Sequence, residues 1–448
     1  MTQQAAAGLD GAATDGALPL ARAAAAVLEG NWIGFATRPS RRLYPHQWSW
    51  DSAFTAIGWS HVQWERAATE LRTLFAAQWP NGMLPHIVFH DDAADYFPGP
   101  DVWDTPHAFG RPRTSAIVQP PVHATAARMV ADRAPSAEAG RAFLAELFEP
   151  LRAWHDYLYR ERDPDGEGLA AMRHPWESGQ DDSPAWDGAL AAIPLDPSAV
   201  SPYRRVDLTL VHADERPDPA DYDHYVQLIE CFKHHRYDEG AMRARCPFWV
   251  VGPLFNSALA LGGEDLAVIA ERLGKDPAPF AAQAARTTAA LNERLWMPEL
   301  GLYVAYDRRR RRHLRAPVSA CFSPLVTAAP DAKRVDLVVR TVTSSRFWPP
   351  AARGRGITSY DRRAPGFSRH QYWRGPVWVN INWGAVLGLR RHGRDDLARA
   401  LTVDTLDLVR EHGFWEYYDP DTGDGLGSEE FSWTAALVLD LLATHEEL

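Results

Sequence analysis

The sequence predicts an all-α protein. Three observations predict it. Helical patterning recurs in about a dozen segments from one end of the 448-residue chain to the other. Long runs with strand-like alternation are missing. No linker rich in Pro, Gly or Ser separates the helices, so residues 17–448 read as a single domain.

Residues 1–16 are Ala/Gly-rich and polar, and are expected to be disordered. Helical segments follow at about 20–28, 56–77, 122–133, 137–161, 222–234, 251–261, 265–273, 277–295, 332–343, 376–392, 395–411 and 431–444. Asp51 and Ser52 stand where the second of these would begin, which leaves Asp51 a plain role as N-cap. Gln78–His86 and Thr114–His123 read as long loops. The turn Asp163-Pro-Asp-Gly166 lacks the ligand pattern of a calcium loop. Residues 196–225 are polar and punctuated by proline, and are expected to form a mobile flap. The five consecutive arginines Arg308–Arg312 read as a solvated turn. Pro376 fits a first helical turn, Arg390, Arg391 and His392 suit a last turn, and Gly393 can close it. The final segment, FSWTAALVLDLL, is apolar nearly all round and is expected to be buried on most sides.

Composition narrows the function. Hydrophobic residues make up 46% and charged residues 23%, as in a globular protein, and the net charge of −11 argues against a nucleic-acid partner. An anion site would have to be locally basic. The three cysteines have no metal-ligand spacing, and their odd number suits a reducing compartment. There is no signal-peptide pattern and no apolar run near the roughly 18 residues that span a membrane. A cytoplasmic location with no membrane partner is expected. Without a phosphate-cradling glycine loop, no nucleotide cofactor is expected. No metal is expected either, and a homo-oligomer is left open.

Chemistry concentrates in His174–Asp187, HPWESGQDDSPAWD, where four carboxylates and two tryptophans share fourteen residues. An apolar wall beside a carboxylic acid raises its pKa until it can donate a proton near neutrality. Three more aromatic stretches matter: Tyr44–Phe54, His370–Trp383 and Gly413–Thr434. Together the four hold nine of the 18 tryptophans in 61 residues, far above an even share. Core tryptophans would follow the helices instead. Aromatic faces beside carboxylates and amides suit a sugar, whose C–H face packs on indole while its hydroxyls need polar partners.

HPWESGQDDSPAWD resembles the ESGxDNSPRWD-type motif of glycoside hydrolase family 63 and, more loosely, of the trehalases. YPHQWSWDSAF resembles the family's WDSAF loop. QYWRGPVWVNINW and FWEYYDPDTG…FSWTAA resemble its two C-terminal motifs. The matches lie in order from about residue 40 to 440. The short members that the chain looks most like hydrolyse mannosylglycerate or glucosylglycerate. Its length and the segment ERPDPADYDHY are similar to the glucosylglycerate hydrolases in particular.

The resemblance implies an (α/α)6 barrel, six inner and six outer helices with the active site in long loops at one mouth. It also implies an inverting glycosidase acting on a small glycoside. The general acid maps onto Asp181, with Asp182 standing where the family often has Asn. The base maps onto Glu416. An inverting enzyme needs that division, an acid at the leaving oxygen and a carboxylate across the ring to activate water. Trp176 and Trp186 are expected to supply the apolar contact that keeps Asp181 protonated. Tyr44, Trp48, Trp50 and Asp51 match the loop lining the sugar subsite. His86 matches the histidine of NGMxPH and Gln119 the glutamine of QPP. Tyr372, Trp373 and Trp378 match an aromatic wall. Arg216 and Tyr222 match flap residues that hold glycerate, with Arg374 the next candidate for an anion. For His86 and Trp378, core packing is the plain alternative. Another family 63-like α-glucosidase or trehalase activity, a barrel sugar epimerase and a non-catalytic sugar-binding protein are the competing functions.

Overall fold

The computed structural model describes residues 17–90, 96–105, 112–350 and 355–445. The expectation of disorder at 1–16 lies outside them. The described chain is dominated by helices that pair off along the sequence. Ser49–Ser60 packs against Trp64–Ala76, His123–Asp132 against Ala137–Tyr157, Pro253–Arg272 against Ala278–Ala290, and Val379–Arg391 against Asp395–His412. The 3-10 segment Ser319–Val326 meets Ala332–Val342, and the final helix, Ser432–His445, meets the first, Ala17–Asn31. The first member of each of the first five pairs, together with Ser432–His445, also contacts its successor. Ser49–Ser60 touches His123–Asp132, which touches Pro253–Arg272, then Ser319–Val326, Val379–Arg391 and Ser432–His445. Ser432–His445 in turn packs on Ser49–Ser60. These inner elements are the apolar ones: every residue of Ser49–Ser60 is buried, and Ser432–His445 is buried from Ser432 to Leu442.

The boundaries differ from the sequence reading in instructive ways. The segments expected at 251–261 and 265–273 are one helix, Pro253–Arg272. Gly262 and Gly263, which suggest a break, instead allow close approach. A Cβ on Gly262 would meet the His155 ring at 3.0 Å, and one on Gly263 would meet Ala284 at 3.1 Å. Conversely, the segment expected at 56–77 is two helices that begin earlier, at Ser49. Asp51 therefore sits inside the first turn and is not the N-cap; that position is Trp48, whose side chain makes no cap bond. Pro376 does not open its helix, which starts at Val379, because Val377 is drawn into bridges with Thr358 and Tyr418.

The expectation of a helical fold holds, with short strands added between the helices. Ten short strands occur among the described residues, the longest being Gly425–Glu429. They are invisible to a search for long alternation, and they tie loops together. Gln47–Trp48 pairs with Ile87–Phe89, which pairs with Arg113–Thr114. Met172 bridges Val250 just before the acidic stretch. Trp415–Tyr418 pairs with Gly425–Glu429. The arginine run joins the strands Ala305–Asp307 and Arg312–Leu314 as a turn, but it is only partly solvated. Arg308 pairs with Asp163 and Glu167, and Arg309, Arg310 and Arg312 donate to backbone carbonyls. Among the described residues no helix is long and apolar enough to cross a membrane.

Candidate active site

The four aromatic stretches lie beside inner elements of the fold. Trp48 directly precedes the Ser49–Ser60 helix and Trp378 the Val379–Arg391 helix. Gln119 lies just before His123–Asp132, and Glu416 stands on the strand that leads toward Ser432–His445. They meet at a cavity of about 400 Å³. Ten of the thirteen candidate residues line it: Tyr44, Trp48, Trp50, Asp51, His86, Gln119, Asp181, Tyr372, Trp373 and Glu416.

The remaining three lie apart from it. Trp378 is fully buried behind the wall, stacked on Trp373 with ring centres 3.8 Å apart and on Tyr417 at 4.5 Å. It is packing that holds Trp373 flat, not a lining residue. Arg216 and Tyr222 line an adjoining cavity of about 1160 Å³, and Tyr44 lines both. Tyr222 is on the regular helix Pro219–His234, so the end of the segment expected to be a flap is helical.

Asp181 opens onto the inner cavity. Burial pushes its carboxyl up to about 8, with Glu416 and Asp182 adding to the rise and Arg216 opposing it. The neighbouring Asp182 is held elsewhere. Arg374 pairs with it at 3.2 Å, and Gln371 Nε2 donates to it at 3.3 Å. Burial pushes Asp182 up to about 7 against the pull of Arg374. The chain turns between Ser178 and Gln180 through Gly179, at φ 71°, where a Cβ would meet the Trp50 ring at 2.6 Å. Glycine lets the Asp181 loop lie against Trp50. Trp176 and Trp186, expected beside Asp181, do not line this cavity. Trp186 donates to the Gln180 carbonyl at 2.7 Å, and Trp176 packs among His174, Tyr222 and Tyr225. The apolar wall comes from Trp50, Trp373 and Trp433 instead.

Glu416 is oriented from several sides. Tyr44 Oη donates to its Oε1 at 2.8 Å, and the Ser428 N–H donates to Oε2 at 3.2 Å. Arg216 Nη1 stands 3.9 Å from Oε1 and also donates to Tyr44 Oη at 3.0 Å. Burial pushes Glu416 up to about 7, while Arg216, Tyr44 and the Ser428 N–H pull it down. Arg216 is not in solvent beside Glu215 or Asp218. It donates to Asp207 at 3.2 Å and lies over the Tyr372 ring at 4.4 Å. The Tyr372 backbone itself sits at φ 33°, an uncommon conformation for a non-glycine residue. Glu215 anchors the other side of this bend, accepting from the Gly427 N–H at 2.8 Å.

Asp51 is buried, and burial, with Glu416, Asp181 and Glu70 nearby, holds its carboxyl well above the usual range. Gln119 Oε1 accepts from the Trp50 N–H at 3.1 Å, fixing the loop ahead of Asp51. His86 is driven down to about 3 by burial and by His174, so it is neutral, and its Nδ1 has no hydrogen-bond partner. A neutral ring with a free nitrogen beside a cavity fits a hydroxyl better than it fits a core. Arg374, the reserve candidate for an anion, is taken: it pairs with Asp187 at 2.7 Å as well as with Asp182.

Sequence reasoning missed Pro39, Phe431 and Trp433 in the inner cavity and Tyr96 in the outer one. Tyr96 meets the Trp48 ring edge-on at 5.3 Å. It also missed Glu70, which lies behind the lining. Glu70 is fully buried and accepts from Thr37 Oγ1 at 2.7 Å, Gln47 Nε2 at 2.9 Å and Ser52 Oγ at 2.6 Å. Gln47 and Ser52 flank Trp48–Asp51, so this carboxylate clips both ends of that cavity-lining segment. Burial raises it to about 7 against those bonds. The signal was available: Glu70 falls on the apolar stripe of its helix with Ala67, Leu71 and Leu74. Among the described residues no group of three His, Cys, Asp or Glu is placed to hold a metal ion.

Two carboxyl groups facing one cavity, walled by indoles and lined by amides and hydroxyls, can protonate a leaving oxygen and activate water on a sugar. Comparisons with known proteins agree with that chemistry. Residues 44–434 match the mannosylglycerate hydrolase MGH1-like glycoside hydrolase domain. A mannosylglycerate hydrolase of Rubrobacter radiotolerans is 47% identical over 93% of this chain and 95% of its own length. A glucosylglycerate hydrolase of Mycolicibacterium hassiacum is 36% identical over 94% of this chain and 97% of its own. The crystal structure of the family 63 mannosylglycerate hydrolase from Thermus thermophilus, in complex with Tris and D-glycerate, superposes with a TM-score of 0.88 at 42% identity. The match covers 95% of this chain and 100% of that one. The chain belongs to the MGH1-like glycoside hydrolases of family 63.

Proposed function

We propose that the chain hydrolyses the α-glycosidic bond of mannosylglycerate or glucosylglycerate to hexose and glycerate, with inversion at the anomeric carbon. The observation that carries this reading is the pair Asp181 and Glu416 on one aromatic-walled cavity. Asp181, raised to about 8, keeps its proton near neutrality and acts as the general acid at the glycosidic oxygen. Glu416, aimed by Tyr44, the Ser428 N–H and Arg216, takes the proton of the attacking water. Asp51, His86 and Gln119 meet the sugar hydroxyls, and Trp48, Trp50, Tyr372 and Trp373 pack on its apolar faces. Arg216 and Tyr222, in the adjoining cavity, receive the glycerate carboxylate. Residues 196–225 act as a flap over that opening, on a single domain spanning 17–448 in the cytoplasm. The inner elements form a closed (α/α)6 barrel. The run of contacts from Ser49–Ser60 round to Ser432–His445 and back supports closure.

The length and the ERPDPADYDHY segment favour glucosylglycerate. The higher identity to the relative named for mannosylglycerate reverses that order, 47% against 36%. Incubating the purified protein with mannosylglycerate, glucosylglycerate and trehalose, with an assay for free hexose, tests the reading. Turnover of either glycerate glycoside well above that of trehalose is expected. Turnover of trehalose alone, or of none, would overturn it.

Asp182→Asn separates the two neighbouring aspartates. It should keep turnover within about tenfold of the parent, short of the roughly 10²–10⁴-fold typical of losing a general acid. Because Arg374 loses a buried charged partner, stability should fall by about 1–3 kcal/mol, read as a lower urea midpoint. An inactive Asp182→Asn beside an active Asp181→Asn would move the acid by one residue.

A further inference from the structure

Trp50 lines the sugar cavity and also a second, mostly apolar cavity. This second space is walled by Phe54, Leu254, Phe322, Ile381 and Trp383 from four inner elements of the fold. Among the described residues no charged side chain lines it. It is not wholly apolar, however. Ser257 Oγ and Asn380 Nδ2 belong to lining residues, are buried, and have no hydrogen-bond partner. Ser257 is 1% and Asn380 5% exposed. The Asn380 Oδ1 is already used by the Ile381 N–H at 2.9 Å, so its amide nitrogen is the free end. Buried polar groups are rarely left without partners, and two donors in one apolar chamber call for an oxygen acceptor.

We propose that this chamber is a second ligand site that takes a small uncharged molecule with an apolar body and one hydroxyl or carbonyl oxygen, and that its occupancy is felt in the sugar cavity. Its character, mostly apolar with a few fixed polar groups, is that of small-molecule sites. The exclusion of charge sets its ligand apart from the anionic glycoside. Two links lead from the chamber to the carboxylates. Trp50 is the direct neighbour of Asp51. Ser319, also in the lining, accepts from Gln180 Nε2 at 2.8 Å, and Gln180 immediately precedes Asp181. A ligand that shifts either wall moves the sugar cavity without entering it, so it lowers turnover without competing for substrate.

Gly384 provides the test. It lines the chamber in mid-helix, and a Cβ built on it meets nothing within 4 Å. Gly384→Leu therefore adds an apolar side chain at the lining from a Cβ that has room, and replacing a mid-helix glycine favours the helix. Calorimetric titration of the full chain with benzyl alcohol, without substrate, should give saturable one-to-one binding in the parent. Binding should be at least about tenfold weaker in Gly384→Leu. Hexose release by the parent should be inhibited by benzyl alcohol without a rise in KM, and the variant, with basal turnover within about twofold, should resist that inhibition. Absence of saturable heat, or equal binding by parent and variant, would overturn the site. Binding that leaves turnover unchanged, or inhibition that raises KM only, would overturn the coupling. The titration needs no glycosidase activity, so its outcome stands apart from that of the proposed hydrolysis.

Discussion

Asp181→Asn and Glu416→Gln are each expected to lose turnover by at least the roughly 10²–10⁴-fold that a general acid or base supplies, while substrate binding stays within a fewfold. Both carboxyls open on the same cavity, and both substitutions keep the shape of the side chain they replace. The pH profile gives the sign. Glu416, raised to about 7, must be ionised, so kcat/KM of the parent falls as pH drops through that value. Asp181, raised to about 8, must be protonated, so kcat/KM falls again as pH climbs through that value. The optimum is narrow and lies between the two. In Asp181→Asn the alkaline limb of the residual activity should vanish while the acidic limb remains. Initial rates measured from mildly acidic to alkaline pH check this, and an Asp181→Asn variant that keeps the alkaline limb would reassign the acid.

Arg216→Ala should weaken the transition state for the glycerate glycoside by about 2–5 kcal/mol, the usual cost of breaking a desolvated charge pair. Read as a carboxylate clamp alone, Arg216 would hardly matter to a neutral substrate such as glucosylglycerol. The geometry corrects that expectation. Arg216 bonds Tyr44 and stands 3.9 Å from Glu416, where its charge holds the carboxyl down. Without it the Glu416 pKa rises further, so the acidic limb should move to higher pH on both substrates. A displacement of about one unit corresponds to roughly tenfold near neutrality. The glycerate glycoside should lose more than the neutral one, and the difference measures the carboxylate clamp. Equal losses on the two would leave Arg216 as a partner of Glu416 only.

The parts legible in the sequence are those with dense local signals. Tryptophans spaced beside carboxylates in Tyr44–Phe54, His174–Asp187 and His370–Trp383 mark the loops that line the cavity. The amphipathic pattern marks most helices to within a turn. What stays hidden is long-range. Strands of two or three residues carry no periodicity, yet Gln47–Trp48, Ile87–Phe89 and Arg113–Thr114 bring three distant loops into register. Gly262 and Gly263 read as a break because their packing partners, His155 and Ala284, are remote in the chain or on another helix. Trp378 and Trp373 look alike in sequence, and only their stacking separates a wall from its backing. Phe431 and Trp433 lie where the aromatic stretch Gly413–Thr434 overlaps a segment that reads as core helix, although Phe431 meets the Tyr44 ring and Trp433 the Trp50 ring. Arg216 is legible, but its partner Asp207 is not, since a segment rich in Asp and Arg offers many equivalent pairings.

The central claim is that Asp181 protonates the leaving oxygen while Glu416 directs water to the opposite face of the sugar. Proton NMR of the hexose released from α-mannosylglycerate and α-glucosylglycerate during the first minutes of turnover tests it most directly. Inversion requires the β-anomer to appear first and the α-anomer to grow in only by mutarotation. Initial release of the α-anomer would contradict the account, because it would require a covalent sugar intermediate on one of the two carboxylates.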